Sequence, residues 1–511
     1  MMRPERPRAL LVVPPVYDFA FYDLFTAPFG LVRIGRWLAG AGYDVRLVDA
    51  LRTDDERSRE LRGTPRRRSD GTGKVFRTRI EWPAGPLPVD RSFARYGIVI
   101  ESFRTRIAGA FEGAPPDVAL VTSGMTYWYP GVVEAVDTLR AAHPSVPVAV
   151  GGVYASLLPE HCKAVTGADL VAAGSSTGDL AALLGRLGLP VPDGEPAGAV
   201  VDSGRGFAAV RLNEGCPYRC DYCASHMLCP RFEPGDPHAA AAEVRRLAES
   251  AGVRNFAFYD DALLVDRRRV FGEFLAHFAV GGAAGGGAAC GGRAGGGGAG
   301  PGSRAPQPTV RFHLPNAVHM RHLDADIAGL MNRAGVQEVR LGFESDSDAF
   351  HVAHDAGAGP KAGRGAAGRG GDGVAGGAAS GDDAALSAAV DALLAGGFSR
   401  DRIGVYVLAG LPGQRRGEVE HSVRTAGEKG VNVYVSEFSP VPGSPIWERC
   451  VELCELPIAE EPLYQNNTLL PMAWEGFTRA DLAAVKECAA GYRRAVSRPA
   501  APASRSVPPV W

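Results

Sequence analysis

Between residues 10 and 435 the chain alternates short β-branched or aliphatic runs with stretches whose apolar residues recur at helical spacing, and this rhythm constrains the fold more than any other feature. Runs at 10–13, 45–48, 118–121, 146–150 and 170–173 read as buried strands. Leu31, Ile34 and Leu38, then Val132, Ala135 and Leu139, then Leu180, Leu183 and Leu184 mark the helices between them. This order makes a parallel sheet covered by helices, whose ligands sit beyond the carboxyl ends of the strands. A second series of strands follows at 209–212, 255–259, 310–313, 338–341, 403–408 and 431–435, with helical patterns at 239–250, 267–278, 325–334, 384–395 and 418–430. Six strand–helix units make a curved, three-quarter α/β barrel, since a full eight-fold barrel wants more chain. The expected class is α/β: an N-terminal doubly wound, Rossmann-like parallel sheet over 1–190, a partial (βα)6 barrel over 200–440, a small C-terminal helical region over 445–497 and a disordered tail over 498–511.

Three interruptions stand out. Residues 51–94 begin as a polar insertion, with ten basic and five acidic residues between 51 and 80, whose first part reads as solvated. Two glycine-rich tracts, 281–304 and 356–381, hold 24 of the 66 glycines and carry too little apolar surface to offset ordering, so they read as floppy insertions. Lys plus Arg is 55 against 57 for Asp plus Glu, which leaves no charge excess to draw the chain to nucleic acid. The longest apolar reach, 19–45, is broken by Asp23, Arg33, Arg36 and Asp44, so no membrane span is expected. With a basic start and an apolar run of only 9–13, no signal peptide is read, and the expected location is the cytoplasm.

Nine cysteines, an odd number without even spacing, argue for reduced thiols rather than a disulfide framework. Three of them, Cys216, Cys220 and Cys223, form C-x3-C-x2-C within RLNEGCPYRCDYCAS at 211–225, directly after the first barrel strand. Short loops of this kind turn three thiolates inward around a cubane, each on its own iron, with the fourth iron open. Zinc is the alternative, closed by His226 or Cys229. Cys450, Cys454 and Cys488 read as packing residues of C-terminal helices or, failing that, an auxiliary cluster site, and His319 with His322 as a polar loop and helix start.

The cysteine array, with Tyr222 before its last member, resembles the radical S-adenosylmethionine superfamily. The ends of the later strands are similar to that family in register. FAFYDDALL at 256–264 sets Asp260 and Asp261 where the family faces the cofactor's amino group, HLPNAVHM at 313–320 gives Pro315 and Asn316, and LGFESDSD at 341–348 gives Glu344 and Ser345, resembling the family's cofactor-contacting glutamate. The resemblance implies a 4Fe-4S cluster on the three cysteines and S-adenosylmethionine on the open iron. One electron, from a donor such as flavodoxin or ferredoxin, would cleave the cofactor to a 5′-deoxyadenosyl radical acting on a small-molecule substrate.

The first domain resembles the cobalamin-binding domain that precedes the barrel in one branch of the superfamily, on the segments LLVVPP at 10–15, 27–50, LVTSGMTYWYPGV at 120–132, VAVGGVYASLLPEH at 148–161 and ADLVAAGS at 168–175. The resemblance implies that Thr122, Ser123, Gly151, Gly152 and Gly174 line the corrin and its nucleotide tail. No D-x-H-x-x-G occurs there, so the cobalt's lower face would be vacant, water-bound or covered from the 18–29 loop, and an acidic G-x-E pattern is replaced by GSSTG. That GSSTG also fits a nucleophile elbow, giving a serine hydrolase using Ser176 as one rival function. A cluster-carrying binding or electron-transfer protein without radical chemistry is the other.

Overall fold

The computed structural model describes residues 6–279, 310–354 and 382–497, apart from 86, 88, 348, 349, 352 and 353. Both glycine-rich tracts, Cys290 and the 498–511 tail lie outside those residues. Five strands, β1 (Arg8–Val13), β2 (Asp44–Asp49), β3 (Val118–Ser123), β4 (Val148–Gly152) and β5 (Leu170–Ala172), form one parallel sheet in the order β2-β1-β3-β4-β5. The order reverses beside β1, so the crevice between β1 and β3 is the switch point at which such sheets bind ligands. Its two faces bury separate cores, one around Leu10, Val12, Phe103 and Val136, the other around Leu11, Trp37, Leu38 and Leu184. Alternate residues of β1 thus serve opposite faces, as a strand covered on both sides requires.

The barrel series is also present. Strands β6 (Ala208–Val210), β7 (Asn255–Phe258) and β8 (Arg311–His313) pair in parallel, as do β9 (Val339–Glu344), β10 (Ile403–Ala409) and β11 (Asn432–Glu437). The two halves meet through the parallel bridge Phe312–Val336. Val339, Leu341 and Phe343 point into the helix-covered core with Phe256, Phe258 and Phe312, leaving Arg340, Gly342 and Glu344 on the opposite face.

Two additions were not legible. Val200–Asp202 pairs antiparallel with β6 at the edge of the half barrel. The 51–94 insertion is solvated only in its first part, where Glu56–Arg62 is an exposed helix capped by Asp55. Its second part is folded: Arg77–Arg79 and Ala94–Tyr96 pair with Val16–Asp18 in a three-stranded antiparallel sheet, and Phe76 and Phe93 are buried. At the other end, within the expected C-terminal helical region, the helix Arg479–Val496 packs against β11, where Arg493 donates to the Val433 carbonyl and caps the open edge. Among the described residues, no helix is long and apolar enough to cross a membrane.

Candidate active site

The cysteine loop leaves β6 and is closed by a clasp: Asn213–Glu214 pairs antiparallel with Glu233–Pro234, pinning 215–232 at its base. Gly215 turns the chain into the loop at φ 74°, where a Cβ would lie 2.2 Å from the Arg231 carbonyl oxygen. Asp260 fixes the same base from β7, its carboxylate accepting from the backbone N–H of Leu212 (3.1 and 3.0 Å) and Asn213 (2.6 Å) and from Asn213 Nδ2 (3.1 Å). Burial pushes this carboxyl up to about 7, against the pull of its donors. Its acceptor capacity is therefore directed at the loop backbone. Asp261 is exposed at the mouth, its carboxyl raised by crowding, with Arg211 and a hydrogen bond from Ser225 drawing it back.

Cys216, Cys220 and Cys223 are half-buried free thiols. Burial pushes the Cys220 thiol up to about 12, with Cys223, Glu344 and Cys216 acting in the same direction, so the three sulfurs and Glu344 share one neighbourhood. Among the described residues no three His, Cys, Asp or Glu side chains gather closely enough to hold one metal ion. Zinc closed by His226 or Cys229 would require such convergence, whereas a cubane takes each thiolate on a separate iron. The donor set fits the cluster better than the ion.

Glu344 ends β9 at a register shift, with φ 57°, a left-handed conformation that strains any residue bearing a Cβ. Gly342, one inward position earlier, leaves room for it, since a Cβ there would stand 2.9 Å from Glu344 Oε1. Tyr222 lies beside Cys220 and Glu344, and burial followed by Glu344 raises its phenol. Asn316 is exposed, with Nδ2 3.5 Å from the Asp260 carbonyl. Ser345 is buried behind the strand, its Oγ 3.4 Å from Ser422 Oγ. The structure thus gathers Cys216, Cys220, Cys223, Tyr222 and Glu344, sets Asp261 and Asn316 at the rim, and commits Asp260 and Ser345 to support.

Sequence reasoning missed two groups here. Tyr218 stacks on His319 at 4.7 Å and hydrogen-bonds His322, so those histidines flank the cysteine loop rather than an outlying turn. Asp221, between two of the cysteines, is gripped by His354. Histidine spacing was the one available signal, and it does not reveal which tyrosine or aspartate lies opposite.

In the first domain, Thr122 and Ser123 pair with Gly151 and Gly152 where β3 and β4 end. Ser123 Oγ donates to the Gly151 carbonyl (2.8 Å) and accepts from the Ala155 N–H (3.1 Å). Gly152 has φ 102°, and a Cβ would come within 2.4 Å of the Ser123 carbonyl oxygen. Gly151 has only ordinary contacts, and Gly174 faces open space. The helix Val153–Leu157 continues from Gly152 to pack against Ser225–Leu228 of the cysteine loop, so this sheet edge faces the loop. The 18–29 loop is occupied with docking: Phe25 inserts against His313 (4.5 Å) and Phe207 (5.3 Å), and Asp18 holds Trp128 Nε1 (2.6 Å) and Asn466 Nδ2 (2.9 Å). Ser176 is exposed and accepts from Gly178 N–H (3.2 Å) at the start of a helix, a turn-forming role that gives no support to a nucleophile. Cys450 is buried in a cluster with Phe438 and Ile446, while Cys488 packs on the barrel core, so the C-terminal cysteines do not form one site.

No protein-family model and no curated protein matches the chain. Solved structures do. TsrM, a radical S-adenosylmethionine methyltransferase from Kitasatospora setae with cobalamin and a 4Fe-4S cluster bound, superposes with TM-score 0.59 at 15% identity, covering 88% of this chain and 80% of that one. The same protein with tryptophan substrate and the analogue aza-SAM gives 0.60 at 15%, covering 94% and 88%. This chain shares the fold of those radical S-adenosylmethionine enzymes. OxsB, a cobalamin-dependent S-adenosylmethionine radical enzyme, matches with TM-score 0.50 at 11% identity, and the alignment covers 82% of this chain and 52% of OxsB.

Proposed function

We propose that this chain is a cobalamin-dependent radical S-adenosylmethionine enzyme that methylates or rearranges a small molecule, with an electron donor such as flavodoxin or ferredoxin as its protein partner. The observation that carries the reading is the juxtaposition of two strand-end sites. The three-thiol loop and Glu344 sit at the carboxyl ends of barrel strands, and the edge bearing Gly151 and Gly152 packs onto that loop through Val153–Leu157. When bound, a cluster there supplies one electron to S-adenosylmethionine, and a corrin supplies a transferable methyl group.

The chain's own residues bind, orient and exclude water. Cys216, Cys220 and Cys223 would hold the iron as thiolates, so the thiols of Cys216 and Cys220, which burial raises, must give up their protons to do so. Glu344 orients the cofactor from across the mouth, while Asp260 sets the loop's base. Gly152 lets a ligand approach the sheet edge closely. Tyr129–Glu461 (3.2 Å) and Thr126–Gln465 (2.5 Å) tie the first domain to the C-terminal region, a docking that would help to keep water from the mouth. Anaerobic reconstitution with iron and sulfide, followed by hydroxocobalamin, S-adenosylmethionine and dithionite, should yield 5′-deoxyadenosine, or S-adenosylhomocysteine with the methyl group taken up by the reduced cobalamin. Neither product should form in Cys220→Ala, and absence of both from a fully reconstituted wild type would overturn the reading.

A further inference from the structure

Asp221 lies inside the cysteine array, between Cys220 and Cys223, and two segments outside the loop, at His354 and Ile446, grip it. Its carboxylate meets His354 Nδ1 through both oxygens, at 3.1 and 3.0 Å. Its backbone N–H donates to the His354 carbonyl (3.4 Å), and its carbonyl accepts from the Ile446 N–H (3.2 Å). His354 is buried, packed by Phe350 at 4.8 Å and facing the Tyr222 ring at 6.3 Å. The Asp221 side chain is only partly exposed, and the buried imidazole is the side chain that hydrogen-bonds its carboxylate.

Reduction of an iron–sulfur centre adds one negative charge, and nearby charges and hydrogen bonds set how readily it accepts one. A carboxylate on a residue between two ligand cysteines opposes reduction, and a donor that draws its charge away relieves the opposition. We infer that His354, by binding Asp221, is a positioning residue that raises the reduction potential of the centre held by Cys216, Cys220 and Cys223. The inference rests on the cluster reading above. It concerns a histidine contributed by the segment after β9, which the cysteine motif does not contain.

The test uses the reconstituted full chain. Iron and sulfide content come first, and then the midpoint potential, from a titration with dithionite as electron donor and electron paramagnetic resonance as the readout. Wild type without iron would remove the cluster reading itself. With iron present, His354→Ala should lower the reduction equilibrium constant about tenfold, roughly 59 mV for one electron. His354→Asn, which keeps an N–H donor at a similar place, should stay near wild type. Asp221→Asn should shift the potential upward, and in the His354→Ala background it should cancel the downward shift. A fully loaded His354→Ala with the wild-type potential overturns the inference. Should that variant lose iron, Asp221→Asn decides, and an unchanged potential there overturns the inference equally.

Discussion

Asp260 and His313 act on stability in opposite directions over one pH range. Burial lifts the Asp260 carboxyl to about 7 from an unfolded value near 3.9, so the folded chain retains a proton that the unfolded chain releases. Its contribution is complete below the unfolded value and is lost as pH rises through about 7. Burial, the larger effect over its neighbours' charges, lowers His313 to about 4 from about 6.5, so its contribution is present above the unfolded value and is lost as pH falls through about 4. Urea unfolding of Asp260→Asn should show wild type gaining on the variant as pH falls from about 7 to about 4, and His313→Gln should show the reverse. A flat difference for either would mean that its shift does not reach the folding equilibrium. Glu344→Ala should weaken retention of S-adenosylmethionine at least tenfold, about 1.4 kcal/mol, with iron content unchanged, by equilibrium dialysis against the cofactor. At this scale the gathering of the three cysteines and Glu344 at one mouth was legible, because spacing and strand-end position carry their placement. The role of Asp260 was not, since it depends on backbone donors at 212–213 that no residue pattern announces.

The central strands came through the sequence well because they are buried on both faces and read as continuous aliphatic runs, as in Ala9, Leu10, Leu11 and Val12. Short antiparallel pieces such as Val16–Asp18 and Arg77–Arg79 did not, because three residues hold too few alternations to set a period and an Arg-Thr-Arg strand has no apolar face. The clasp at Asn213–Glu214 was invisible for the same reason. The turn ending β4 gives a test at this scale. Gly152→Ala places a Cβ 2.4 Å from the Ser123 carbonyl oxygen at φ 102°, so it should cost about 1–3 kcal/mol of stability by urea unfolding. It should also abolish retention of hydroxocobalamin in dialysis if the sheet edge is the corrin site, while Gly174→Ala, strained at φ 79° but meeting no atom within 4 Å, should cost less stability than Gly152→Ala. Equal cobalamin retention in wild type and Gly152→Ala would place the corrin elsewhere.

Across the whole molecule, the two halves are joined by a buried ion cluster that sequence periodicity cannot show. Arg205, on the approach to β6, reaches back to Asp49 at the end of β2 (2.9 Å) and to Asp23 (3.4 Å), which Arg67 also meets (2.8 Å). Arg205 and both aspartates are almost fully buried, so the arginine is what makes two desolvated carboxylates tolerable at the seam. Beside it, Tyr259 at the end of β7 ties its hydroxyl to the 18–29 loop, at the Phe25 carbonyl and the Ala27 N–H. Removing only the arginine leaves Asp49 uncompensated and Asp23 with Arg67 alone, which should cost about 3–5 kcal/mol and loosen the seam rather than either core. If the first domain serves the barrel by presenting a group at its mouth, loosening the seam should separate the activities. In Arg205→Ala, iron content and reductive cleavage of S-adenosylmethionine should persist, because the cysteine loop, Asp260 and Glu344 all belong to the barrel. Formation of S-adenosylhomocysteine, as the sign of methyl transfer through the first domain, should fall at least tenfold, about 1.4 kcal/mol of transition-state stabilisation. Parallel loss of both products with iron retained would instead mean that the first domain helps to form the S-adenosylmethionine site itself.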